Sequence, residues 1–172
     1  MSESASETAP GRPAGSGGSG GSGGGGSAGS AGPGRRVLEN LQEAECLRLI
    51  SPGGLGRIAF TGRFGPTVMP VNYRLVEDTI VFRTTQDSPT DEDLRTGIAH
   101  AEYKVAFEID EFNVADKAGW SVLVQGSVHH VDSEAERAAL IEAGVEPWPE
   151  GPREHFIRIT PTRITGRRIN PR

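Results

Sequence analysis

Apolar side chains recur at every second position in one short run after another between Leu55 and Ile169, which is the pattern of strands with one buried face. Leu55–Thr61 and Thr67–Val76 read as strands joined by a hairpin at Gly62-Arg63-Phe64-Gly65. Thr79–Thr84 follows after a tight Glu77-Asp78 turn. Further on, Tyr103–Glu111 sets Val105, Phe107 and Ile109 against Ala106, Glu108 and Asp110. Trp120–Val131 alternates in the same way, and Glu154–Thr160 and Arg163–Ile169 supply two last strands. About seven short strands joined mainly by hairpins do not suit a doubly wound parallel sheet. A small antiparallel barrel, closed so that no edge is left bare, suits them better. The expected fold class is therefore mainly β, with short helices outside the sheet.

Three segments carry a helical period instead. Leu38, Leu41, Ala44, Leu47 and Ile50 recur at three-residue steps and predict a helix over Leu38–Ser51, ended by Pro52-Gly53-Gly54. A short helix is expected around Asp91–His100. Another is expected over Ser133–Ala143, where Ser133 and Glu136 have the spacing of a capping box.

Everything before this region is of another kind. Thirteen of the 24 glycines precede Arg35, mixed with Ser, Ala and Pro, and no apolar residue larger than Ala follows Met1 there. Such a stretch cannot bury enough surface to offset its chain entropy, so residues 1–36 are expected to be a disordered tail. Residues 37–172 are expected to form one domain. That domain carries 15 Lys and Arg against 21 Asp and Glu. An acidic domain without a basic stripe argues against nucleic acid and against anionic membranes as partners. With one cysteine, Cys46, there is no internal disulfide framework, and no apolar run approaches a membrane span. A cytoplasmic protein is expected.

The residues that could carry chemistry are few. In Met69-Pro70-Val71-Asn72-Tyr73 the proline cannot donate to a ladder, so it marks an edge, a bulge or exposed backbone. Free backbone groups beside Asn72 could pair with the polar rim of a flat ring; an edge guarded against aggregation accounts for the same residues. Arg83-Thr84-Thr85, followed by Ser88 and Thr90, puts a planar guanidinium beside several hydroxyls, a set matched to phosphate oxygens or simply an exposed polar turn. Trp120-Ser121 opens a strand, Trp148 stands in a Pro- and Gly-containing loop where an aromatic should bury itself, and Arg167 adds a cation near the C-terminus. His100, His129, His130 and His155 have no metal-ligand spacing, and no nucleophile elbow or phosphate loop is present. No catalytic residue is evident; Tyr73 and His100 are candidates for proton transfer.

Taken in order, Glu45-Cys46, Gly56-Arg57-Ile58-Ala59-Phe60, Pro70-Val71-Asn72-Tyr73, Phe82-Arg83-Thr84, Val105–Asp110, Gly119-Trp120-Ser121-Val122, Pro147-Trp148 and Ile164–Arg168 resemble the pyridoxamine-5′-phosphate-oxidase-like family. The resemblance runs through nearly all of residues 38–169 and is closer to the broad bacterial branch than to the true vitamin B6 oxidase. It implies a split β-barrel, a homodimer, and FMN at the subunit interface. Pro70, Val71 and Asn72 would line the flavin ring, while Arg83 and Thr84, with the Ser88 hydroxyl nearby, would face its phosphate. Trp120 and Ser121 would lie across the interface, with Arg167 near the cofactor. Relatives carry a basic residue shortly after the Arg-Thr pair. Here Gln86–Asp93 has none, and its four acids would repel a phosphate. The leading expectation is an FMN-dependent oxidoreductase or flavin reductase-like protein. Others are a deazaflavin F420- or haem-binding barrel, and a barrel without cofactor that works through partner contacts.

Overall fold

In the computed structural model, residues 37–95, 103–148, 151 and 153–171 are described. The expected tail and His100 lie outside them. Seven antiparallel strands are joined in one sheet: β1 (Leu38–Leu41), β2 (Gly54–Gly62), β3 (Gly65–Val76), β4 (Thr79–Thr84), β5 (Tyr103–Asn113), β6 (Ala118–His130) and β7 (His155–Ile169). Their order is β1-β7-β4-β3-β2-β5-β6, and β6 also pairs with β7. That last pairing closes six strands into a ring, with β1 added outside it on β7. Among the described residues no helix is long and apolar enough to cross a membrane.

The alternation read from the sequence fills the ring. Ile58, Phe60, Tyr73, Ile80, Phe82, Val105, Phe107, Ile109, Val122, Val124, Ile157 and Ile159 form one buried cluster, closed at one end by Cys46 and Ile50 of α1 (Glu43–Ile50). Tyr73 donates its hydroxyl to the Ile50 carbonyl at 2.9 Å and meets the Phe107 ring edge-on at 5.3 Å. Val81 faces the other way and packs with Leu140 and Val145 beneath α3 (Glu134–Glu142), so β4 is buried on both faces. The Ser133 hydroxyl caps α3 by accepting the Glu136 N–H, as the spacing predicts.

Three expectations change. Leu38–Leu41 is strand β1, paired with Gly166–Ile169, and the helix begins only at Glu43. Three-residue spacing over one turn suits either state, and the unpaired edge of β7 takes the segment as a strand. The two expected last strands are one strand, β7. Pro161 is absorbed by a register shift at Gln125/Gly126, which accommodates its missing N–H. The second helix, α2, spans only Pro89–Asp93.

Candidate functional site

Strands β3 and β4 part company, and the cavity lies where they do. They are joined by a two-residue turn whose Glu77 and Asp78 are both left-handed, with φ of 48° and 59°. The ladder runs from Val76↔Thr79 to Tyr73↔Phe82 and stops. Beyond it Arg83 and Thr84 pair with Phe156 and His155 of β7, leaving Met69–Asn72 joined to β2 alone. Backbone groups alternate sides along a strand, and Val76 and Arg74 face β4. Pro70 and Asn72 therefore turn theirs to the open side of the fork. Pro70 is tolerated there because its nitrogen faces no partner strand.

The fork holds a cavity of about 240 Å³ lined by Met69, Pro70, Val71 and Asn72 on one wall and Arg83, Thr84, Thr85, Ser88 and Thr90 on the other. Pro147 and Arg153 close it. Six of the nine residues expected at a cofactor thus meet in one place: Pro70, Val71, Asn72, Arg83, Thr84 and Ser88. Trp120, Ser121 and Arg167 do not. Ser121 pairs with Arg167 across β6 and β7, and β6 is three strands from β3 either way round the ring, about 14 Å along the sheet. Trp120 is half-buried against the protomer's own core.

Asn72, on one wall of the cavity, carries an unpartnered hydrogen-bond donor. The Asn72 Oδ1 accepts the Trp148 backbone N–H at 3.2 Å, which fixes the orientation of the amide. Its Nδ2 is buried and has no partner. A buried donor left unmade costs about 1–3 kcal/mol, so this position is suited to a ligand acceptor. The Trp148 side chain, expected to bury itself, is 70 % exposed.

The opposite wall is cationic and rich in hydroxyls. The Arg83 guanidinium lies 4.7 Å from the centre of the Phe156 ring and donates from Nε to the Arg153 carbonyl at 2.6 Å. It also reaches the Val145 carbonyl, at 3.5 Å. Arg83 therefore ties β4 to both Val145 and Arg153 while lining the cavity. The Thr84 and Ser88 hydroxyls are 3.1 Å apart, and Ser88 caps α2 by accepting the Asp91 N–H. Arg153 is a second cation on this wall, and the sequence reading missed it. It lies some seventy residues from Arg83 in a loop of little periodicity, and only the Arg83↔Phe156 register brings the two together.

The acids after Ser88 do not crowd this end as expected. Asp91 is wholly buried and paired with Arg95 at 3.1 Å. Glu92 and Asp93 pair with Arg63 from the β2–β3 turn at 2.6 and 2.8 Å. The sequence interval holds no basic residue, yet the fold supplies two. His130 Nε2 stands 3.1 Å from Asp91, and burial holds this imidazole below its ordinary pKa, with the Arg95 charge adding to the effect. Burial pushes the Tyr73 hydroxyl up to about 12, and its proton is held by the Ile50 carbonyl. Among the described residues no group of three His, Cys, Asp or Glu could hold a metal ion.

The cavity thus has backbone groups without a partner strand on one wall and cations and hydroxyls on the other. Known proteins match the chain. The family described as pyridoxamine 5′-phosphate oxidase matches residues 42–168. An uncharacterized protein of Mycobacterium tuberculosis is 32 % identical over 135 residues, covering 78 % of this chain and 87 % of the relative. The solved structure of an FAD-binding protein from Mycobacterium smegmatis superposes with a TM-score of 0.61 at 32 % identity, over 76 % of this chain and 97 % of that one. An FAD-binding protein from Mesorhizobium loti shares the fold, with a TM-score of 0.62 at 21 % identity over 79 % of this chain and 99 % of that one.

Proposed function

The chain belongs to the pyridoxamine 5′-phosphate oxidase family, and we propose that it binds a flavin nucleotide in the fork between β3 and β4 and serves as an oxidoreductase or flavin reductase-like protein. The observation that carries this reading is a cavity with Pro70 and Asn72, whose backbone groups on that side meet no partner strand, on one wall and Arg83, Thr84 and Ser88 on the other. A flavin has carbonyl and imine acceptors on one rim of its ring and a phosphate on its side chain, so it satisfies both walls at once. Two forms of the cofactor fit. FMN is the expectation from sequence, while the 32 % identical Mycobacterium smegmatis protein binds FAD. Both share the ring and the first phosphate, which are the parts these residues address.

When bound, the flavin supplies the redox chemistry. The residues of this chain supply its placement. Pro70 and Asn72 offer backbone groups to the ring edge, and Asn72 Nδ2 offers a side-chain donor. Arg83, with the two hydroxyls, meets the phosphate. Among the described residues lining the cavity, no side chain is an acid or base placed for proton transfer.

A single protomer encloses too little. Ligand sites of this kind usually measure about 300–1,000 Å³, and this cavity is about 240 Å³. We take the missing wall to come from a second copy in a homodimer. That copy would bring Trp120, Ser121 and Arg167, which the protomer holds on β6 and β7, away from its own fork.

Equilibrium titration with FMN, FAD and riboflavin tests the reading. Both phosphorylated flavins should bind at least about tenfold tighter than riboflavin, as expected for one charge-assisted contact. Equal affinities would remove the phosphate end from the account, and no binding of any of the three would remove the flavin.

A further inference from the structure

The wall that carries Thr85, Ser88 and Thr90 is a short irregular segment, and one buried carboxylate holds it. Asp91 Oδ2 accepts the backbone N–H of Asp87 at 3.3 Å, and Asp87 is left-handed with φ of 54°. A non-glycine residue keeps that conformation only where its surroundings impose it. The same carboxylate accepts from Arg95 Nε at 3.2 Å, and its other oxygen stands 3.1 Å from His130 Nε2 and 3.7 Å from His155 Nδ1. Strands β6 and β7 therefore both reach Asp91, and the backbone N–H of Asp91 itself donates to the Ser88 hydroxyl at 3.2 Å. Asp91 has no exposure of its own, so it touches the cavity only through the residues it holds.

We propose that Asp91 is the positioning residue of the phosphate end: anchored on the barrel by His130, His155 and Arg95, it fixes the turn that presents Thr85, Ser88 and Thr90 to the ligand. This deepens the flavin reading and rests on it. It also reverses the expectation from charge alone. As a nearby free acid, Asp91 would repel a phosphate and its removal would tighten binding. As an anchor, its removal loosens the wall and weakens binding, and only for ligands that carry the phosphate.

The test combines ligand selectivity with amide hydrogen exchange on the full chain. Asp91→Asn should weaken FMN about tenfold and leave riboflavin within about twofold, since the ring end of the cavity is untouched. Exchange over residues 85–94 should rise while β5 and β6 stay protected. Should Asp91→Asn fail to fold, Arg95→Leu removes one anchor at the surface and should act in the same direction with a smaller effect. Tighter FMN binding by either variant, or equal losses for FMN and riboflavin, would overturn the proposal. So would unchanged exchange over 85–94. A wild type that binds FMN no better than riboflavin would overturn the reading beneath it together with the proposal's ligand half. The exchange data would then report separately on the anchor.

Discussion

The side-chain oxygen of Asn72 accepts the backbone N–H of Trp148 at 3.2 Å, so one residue of β3 tethers Trp148 while its own amide nitrogen stays buried without a partner. The tether can be kept while the donor is lost. Asn72→Asp retains an acceptor for Trp148 but replaces the unpartnered donor with a second acceptor. It should weaken flavin by at least as much as Asn72→Ala, about fivefold for one neutral hydrogen bond and more if the carboxylate faces ring acceptors. Fluorescence titration measures this, and an Asp variant that binds like wild type would show that Nδ2 does not meet the ligand.

Arg83 has two roles that can be separated. Its hydrogen bonds to the carbonyls of Arg153 and Val145 hold the loop, and its place on the cavity wall addresses the phosphate. Arg83→Ala should cost about 1–2 kcal/mol of stability through the lost loop bonds. It should also weaken FMN about tenfold more than riboflavin. Equal weakening of both ligands would leave Arg83 as a strut alone.

Stability should depend on pH through His130. Burial disfavours its charged form and holds its folded pKa below the ordinary 6.5. Below about pH 6.5 the unfolded chain therefore binds the proton more readily than the folded one. The folded state is at its full advantage above that value and loses stability as pH falls from there toward the folded pKa. Urea midpoints at neutral and mildly acidic pH should differ for the wild type. His130→Gln keeps a donor for Asp91 without the titration and should show less of this loss.

Assembly gives a further outcome. Trp148 is 70 % exposed, and Leu55 and Leu123 on the outer face of β2 and β6 are 47 % and 37 % exposed. A second copy laid on this face would cover them and complete the cavity. Sedimentation at micromolar concentration should give a dimer, and Leu123→Glu should reduce both dimer and flavin uptake. A monomer that binds flavin at full strength would show that one protomer suffices.

The barrel was legible because its strands alternate: the Val105–Ile109 and Trp120–Val124 runs have one face to bury and only one way to do it. The half of the candidate site lined by Pro70-Val71-Asn72 and Arg83-Thr84 was expected through the family resemblance; read alone, these runs suit an edge strand and an exposed polar turn as well. What escaped depends on register. Arg153 enters the cavity only because β4, paired with β7 from Ile80 to Thr84, sets Arg83 opposite Phe156. Asp91, Glu92 and Asp93 looked repulsive because their partners His130 and Arg63 come from β6 and from the β2–β3 turn. Charge read along a chain does not show which charges the fold has already paired.

A flavin held in the fork between β3 and β4 would show in the visible absorption spectrum of the protein purified from cells. The expected spectrum has the two visible bands of an oxidised flavin, bleached on reduction and lost together in a variant carrying both Asn72→Ala and Arg83→Ala. A Soret band, the single band of a deazaflavin, or a spectrum that stays colourless after FMN or FAD is added would contradict it.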